Sequence, residues 1–125
     1  MKPQRIQRKR TKGYNMQAES MALNGLPAVS VCRPGKWGNH FAVKWHPYCR
    51  QFYVLNTLSR RPSDFFASKR EAAEEACKQF RYFLDRKYRS GLRLKASPLR
   101  GKNLACFCAL DMPCHADIWL EIANK

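Results

Sequence analysis

Three cysteines and a histidine fall in one short stretch of this sequence: Cys106, Cys108, Cys114 and His115. Thiolate and imidazole are the donors that tetrahedral zinc sites use, so these four residues form a candidate zinc cluster. The spacing is unusual, because one pair is separated by a single residue and the other is adjacent, whereas familiar zinc modules space their pairs more widely. A second chemistry is nucleophilic. Cys114 at the start of a helix would feel the dipole that favours a thiolate, with His115 as a base and Asp117 as an orienting group. That would make the protein an enzyme acting on a nucleobase or nucleotide, with Arg33 and Lys36 holding phosphate. The third reading is packing, since cysteines are small apolar residues that fill a tight strand-helix junction. All three stay open from sequence alone.

The elements that must position these residues can be read nearby. Leu104 to Cys108 reads as a strand, in which Cys106 and Cys108 share a face and Phe107 points away. Pro113 suits a first helical turn, and His115 lies in line with Ile118, Trp119 and Ile122, the stripe that should face a sheet. Asp117 falls on the neighbouring face, nearer Cys114 than His115.

A second candidate site follows the apolar run Ala28 to Cys32, which reads as a strand ended by Arg33-Pro34-Gly35. Arg33, Lys36, Trp37 and Asn39 could form a ligand platform there, with cations for phosphate, an indole for stacking and glycines that let the backbone approach. The alternative is a tight turn with Trp37 packed inward. Phe41 to Trp45 and Gln51 to Leu55 have strand composition, joined through His46-Pro47-Tyr48 as a hairpin. His46 and Cys49 are assigned to that turn. Ser68 and Glu71 make a capping box for a long helix carrying Ala73, Ala76, Cys77, Phe80, Phe83 and Leu84 at helical spacing, with Gly91 as its stop. Cys77 is read as core. Ser97-Pro98 suggests a short helix start, and Gly101 precedes the final strand.

Strand, hairpin, long helix, strand, helix is an α/β order. The expected fold is a single compact domain over residues 1–125: a small, mostly parallel sheet with a long crossover helix and a C-terminal helix. Both special loops then leave strand carboxyl ends, where open α/β sheets hold ligands.

Charge bounds the partners. Lys and Arg number 24 against 9 Asp and Glu, a formal net charge of +15 in 125 residues. That field concentrates polyanions, so nucleic acid or a phosphorylated nucleotide is the expected partner, with an acidic protein as the alternative. The candidate contacts are Arg5, Arg8, Lys9, Arg10 and Lys12 in a basic N-terminal segment, 1–13, that is expected to be flexible without ligand. Arg93, Lys95, Arg100 and Lys102 lie in a second acid-free run. A composition of 45% hydrophobic residues excludes a disordered tail. No apolar run is long enough to span a bilayer, and the basic opening does not read as a signal peptide. A reducing cytoplasm is therefore expected, with thiols kept free for metal, catalysis or packing.

The segments Arg5-Ile6-Gln7-Arg8-Lys9-Arg10-Thr11-Lys12-Gly13, Lys36-Trp37-Gly38-Asn39 and Cys106-Phe107-Cys108 with Pro113-Cys114-His115-Ala116-Asp117 carry a resemblance. The chain resembles a small uncharacterised family of bacteriophages and prophages, domain-of-unknown-function family 4326. The resemblance implies a phage or mobile-element origin, hence a host-cell cytoplasm, and makes the basic N-terminal segment part of the domain. It implies no reaction. His40 departs from the pattern, which has proline after Trp-Gly-Asn.

Overall fold

The computed structural model describes residues 2–33 and 35–125. Pro34, in the turn expected after Cys32, lies outside the described residues. In chain order the elements are strand β1 (Arg5–Gln7), helix α1 (Met16–Asn24), strands β2 (Ala28–Ser30), β3 (Phe41–His46), β4 (Gln51–Asn56) and β5 (Pro62–Phe66), helices α2 (Lys69–Tyr88) and α3 (Leu92–Ala96), strand β6 (Asn103–Cys106) and helix α4 (His115–Ala123). Single 3₁₀ turns, Arg89–Gly91 and Ser97–Leu99, flank α3.

Two three-stranded sheets result. The first has the order β1-β6-β2 and is wholly parallel, with Ile6 opposite Ala105 and Val29 opposite Leu104. Its central strand, β6, is buried at all four positions. The second is the antiparallel meander β3-β4-β5. The expected parallel sheet is therefore present, and the hairpin belongs to a separate sheet.

Local chemistry explains the helices. The side chain of Asn15 caps α1 by accepting from the Ala18 N–H at 3.0 Å, and Gly25, at φ 76°, ends it in the left-handed conformation. Ser68 caps α2 by accepting from the Glu71 N–H at 3.1 Å, as the capping box requires. Ala72, Ala76, Phe80 and Leu84, four residues apart, form the buried stripe of α2, with Cys77 and Phe83 half-buried beside it. The α-helix stops at Tyr88, earlier than Gly91, because Arg89 takes a left-handed φ of 48°. One core joins α2, the inner face of the second sheet, β6 and α4; Phe80 meets Trp119 edge-on at 5.9 Å.

Residues Arg5–Gln7 of the basic segment form an edge strand. At its amino end a buried polar network fixes α1 to the sheet: the Asn103 amide donates to Ser20 Oγ (2.7 Å) and Asn24 Oδ1 (2.8 Å) and accepts from the Gln4 N–H (2.8 Å).

Candidate metal centre and basic edge

Because β1, β6 and β2 run parallel, their carboxyl ends share one edge. The chain leaves β1 into Arg8 and Arg10, β2 into Cys32 and Arg33, and β6 into Phe107 and Cys108. The strand β6 stops at Cys106, so alternation does not place Cys108; the turn after the strand does. Helix α4 begins at His115 rather than Pro113, with Cys114 at its N-cap position.

Three of the four expected ligands, Cys106, Cys114 and His115, meet in space, while Cys108 touches Cys106 but lies outside that mutual group. Ligand atoms of Cys106, Cys114 and His115 lie within 4.8 Å of one another, and all three residues are buried. The Sγ atoms of Cys106 and Cys108 are 3.7 Å apart, and Cys114 Sγ is 3.7 Å from His115 Nδ1. The imidazole is oriented from behind. His115 Nε2 lies 2.6 Å from the Val31 carbonyl oxygen, which can only accept, so Nε2 carries the proton and Nδ1 presents its lone pair toward the thiols. That is the tautomer a metal ligand needs. Cys106, Cys114 and His115 could therefore hold a metal ion.

The electrostatics do not favour a free nucleophile. In Cys114, contact with Cys106 favours the thiolate, but contact with Cys108 and burial outweigh it and the thiol is pushed up. Contact with Cys108 likewise lowers Cys106, yet contact with Cys114 and burial raise it to about 11. Contact with Cys106, then burial, raises Cys108. The depressed thiolate expected at Cys114 is thus corrected: with no cation at the site, crowded buried thiols resist ionisation. Burial lowers the pKa of His115.

Cys77 belongs to this neighbourhood as well as to the core. Burial pushes its thiol up to about 12, with Cys114 and Cys108 adding to the rise. Nothing in its helical spacing distinguished it from a packing cysteine.

Arg5 and Asp117 form a separate structural device. Arg5, with only 8% of its side chain exposed, places Nε 3.3 Å from Asp117 Oδ1 and donates from Nη2 to the carbonyls of Leu110 (2.7 Å) and Met112 (2.9 Å). It clips β1 to the loop between Cys108 and Cys114. Arg5 is consequently not free for phosphate, and Asp117 orients Arg5 rather than a catalytic group.

Arg8 and Arg10 stand differently. Their guanidinium carbons lie 4.9 and 4.1 Å from the centre of the Phe107 ring, and Arg8 also donates to Ser30 Oγ at 3.0 Å. Neither has a carboxylate partner among the described residues. Phe107 was not marked by the sequence, because its role depends on β1 lying beside β6. Lys9 and Lys12 are exposed in the same segment.

The other expected residues separate. The Trp37 ring is buried, edge-on to Trp119 at 5.1 Å, and its carbonyl accepts from Trp119 Nε1–H at 2.9 Å. The exposed stacking face expected of it is therefore corrected: the indole packs inward because α4 supplies an apolar partner. Asn39 is also buried, its Oδ1 accepting from the Phe41 N–H at 2.8 Å, which shapes the turn. Gly38 is required by contact, since a Cβ there would come within 2.9 Å of Arg33 Cα. Arg33 and Lys36 remain exposed. Lys95 sits over Trp37 at 5.4 Å and Tyr88 at 5.5 Å, while Arg93 donates to the Lys125 carbonyl. Arg100 is exposed, and Lys102 precedes the amino end of β6, opposite the edge reached by Arg8 and Arg10. Lys102 thus lies at the opposite end of the sheet from Arg8 and Arg10, whereas Lys95 stands against the loop that follows β2.

Together these features define a small mixed α/β protein whose parallel sheet carries, on one edge, a Cys/His cluster and arginines with no carboxylate partner among the described residues. Residues 6–125 match the family described as Domain of unknown function (DUF4326), and the chain belongs to that family. No curated protein and no solved structure matches it. Among the described residues, no helix is long and apolar enough to cross a membrane.

Proposed function

We propose that this protein is a zinc-stabilised module that binds the phosphates of nucleic acid, or of a phosphorylated nucleotide, along the carboxyl edge of its parallel sheet. The observation that carries the reading is the meeting of Arg8 and Arg10, unpaired with any acid, and the Cys/His cluster on that one edge. Zinc is the metal whose donor set fits best. With bonds of about 2.3 Å, two thiolates on a tetrahedral zinc stand roughly 3.8 Å apart, close to the 3.7 Å between Cys106 and Cys108. Cys106, Cys108, Cys114 and His115 would complete a closed, structural site that leaves no open position for catalysis. A net charge of +15 favours an extended polyanion over a single nucleotide. A phage or prophage origin and a reducing cytoplasm, as the resemblance and the free thiols imply, belong to the same proposal.

The test is a salt titration of binding to a generic duplex, with zinc measured in the same preparation. Near one zinc per chain is expected, with affinity falling steeply as salt rises. Replacing Arg8, Lys9 and Arg10 together by Ala should weaken binding and flatten the salt slope by about one phosphate contact per lost cation. Binding indifferent to salt, or capture of an acidic protein in place of nucleic acid, would overturn the reading.

A further inference from the structure

The second sheet packs only one of its faces on α2. Val54, Phe41, Phe52 and Phe66 point into the core, so alternation sends Lys44, His46, Tyr53 and Phe65 to the other side. Outer positions of a half-buried antiparallel sheet are ordinarily polar. Here those four residues form an aromatic and basic patch, bordered by Ala42, Gln51, Leu55 and Ser63. Lys44 pairs with Tyr53 and Tyr53 with Phe65, making one row across all three strands. Phe65 is 45% exposed, and its ring lies 5.9 Å from Tyr53 and 5.4 Å from His46. His46 is fixed by the Cys49 N–H, which donates to Nδ1 at 3.2 Å.

Charge on this face has one sign. Asp64 is the only acid between residues 40 and 66, and it lies on the α2 side, lining a hollow with Glu75 and Gln79. Each hairpin turn carries an exposed arginine at positive φ, Arg50 at 53° and Arg60 at 66°. Glycine or asparagine adopts that conformation more readily. These arginines mark the two ends of β4, which at about 3.3 Å per residue is roughly 20 Å long.

We propose that this outer face is a stacking platform for single-stranded nucleic acid. Bases lie on Tyr53, Phe65 and His46, and the backbone is met by Lys44, Arg50 and Arg60. The proposal deepens the nucleic-acid reading and rests on it. A single strand is required because a duplex keeps its base faces stacked inside, whereas unpaired bases can lie on exposed rings.

Fluorescence anisotropy with a labelled oligothymidylate and with a labelled duplex tests it. Tyr53→Leu with Phe65→Leu should lower single-strand affinity about tenfold or more and leave duplex affinity unchanged. Arg50→Gly with Arg60→Gly gives an independent readout that does not depend on the rings: melting temperature should hold or rise as the φ strain is relieved, while single-strand affinity falls. Unchanged single-strand affinity in both folded variants would overturn the platform. So would light scattering in which the Leu pair turns a dimer into a monomer with nucleic-acid affinity intact, because the face would then bind a second copy of the chain. Loss of binding in the Arg8, Lys9, Arg10 triple variant with both face variants unaffected would overturn the platform alone. Failure of the wild-type protein to bind either probe at low salt would overturn the nucleic-acid reading itself.

Discussion

A single carbonyl does much to decide what His115 can be. By accepting from Nε2, the Val31 oxygen leaves Nδ1 basic and aimed at Cys114, so the ring is prepared as a ligand. His40 is a histidine of another kind, set against Phe41 at 4.3 Å and Phe83 at 4.5 Å. Burial, then the nearby Lys87 charge, lowers its pKa. A base whose folded pKa is depressed is protonated more readily in the unfolded chain, so its contribution to stability is complete above about pH 6.5, the unperturbed value, and declines as pH falls through it. Melting temperature should therefore drop between pH 7.5 and 5.5, and His40→Leu should reduce the part of that drop due to this ring. An unchanged pH profile in the variant would contradict the assignment. The cluster of Cys106, Cys114 and His115 was legible in the sequence because these residues are close in the chain; Cys108 stands beside Cys106, outside that mutual group. Phe107 beneath two guanidinium groups, and Cys77 beside the thiols, were not, since each depends on elements distant in sequence meeting in space.

Among the elements, α2 and the β3-β4 hairpin announced themselves by period, capping and turn composition. By contrast β1, α1 and β5 did not. Only Ile6 is apolar in β1, and its pairing partner lies about a hundred residues away. The buried residues of α1 are Ser20 and Asn24, so it has no apolar stripe to detect, and β5 opens with Pro62, a residue tolerated there because the strand is an edge. What holds α1 is the Asn103 network. Two substitutions separate capping from that network. Ser68→Ala removes one cap of α2 and should cost about 1 kcal/mol. Asn103→Leu strands several buried donors and acceptors at once and should cost roughly 3 kcal/mol or more. Urea unfolding of the two variants measures both, and equal losses would refute the weight given to the network.

For the whole molecule, the Cys/His cluster and the fold are one problem. The cluster sits where β6 hands over to α4, and Arg5 clips β1 to the same loop. On the proposed zinc reading, a chelator should therefore lower the melting temperature of the entire domain rather than loosen one loop, and Cys106→Ser or Cys114→Ser should do the same while reducing metal content. A chelated protein with an unaltered melting curve would show that the thiols serve packing alone. The net charge of +15 acts at this scale too, since self-repulsion opposes compactness.

The strand order β1-β6-β2 also governs when the protein can form during synthesis. Strands β1 and β2 do not pair with each other, and each finds its strand partner in residues 103–106. A ribosome must release nearly a hundred residues after β1 before any of the parallel sheet can close. Until then Ile6 and Val29 wait without partners, while the β3-β4-β5 meander, built from neighbours in sequence, is free to assemble first. Because the thiols and His115 emerge with or just after β6, the Cys/His cluster forms at the same late moment. The nascent chain closes its parallel sheet and assembles its Cys/His cluster together.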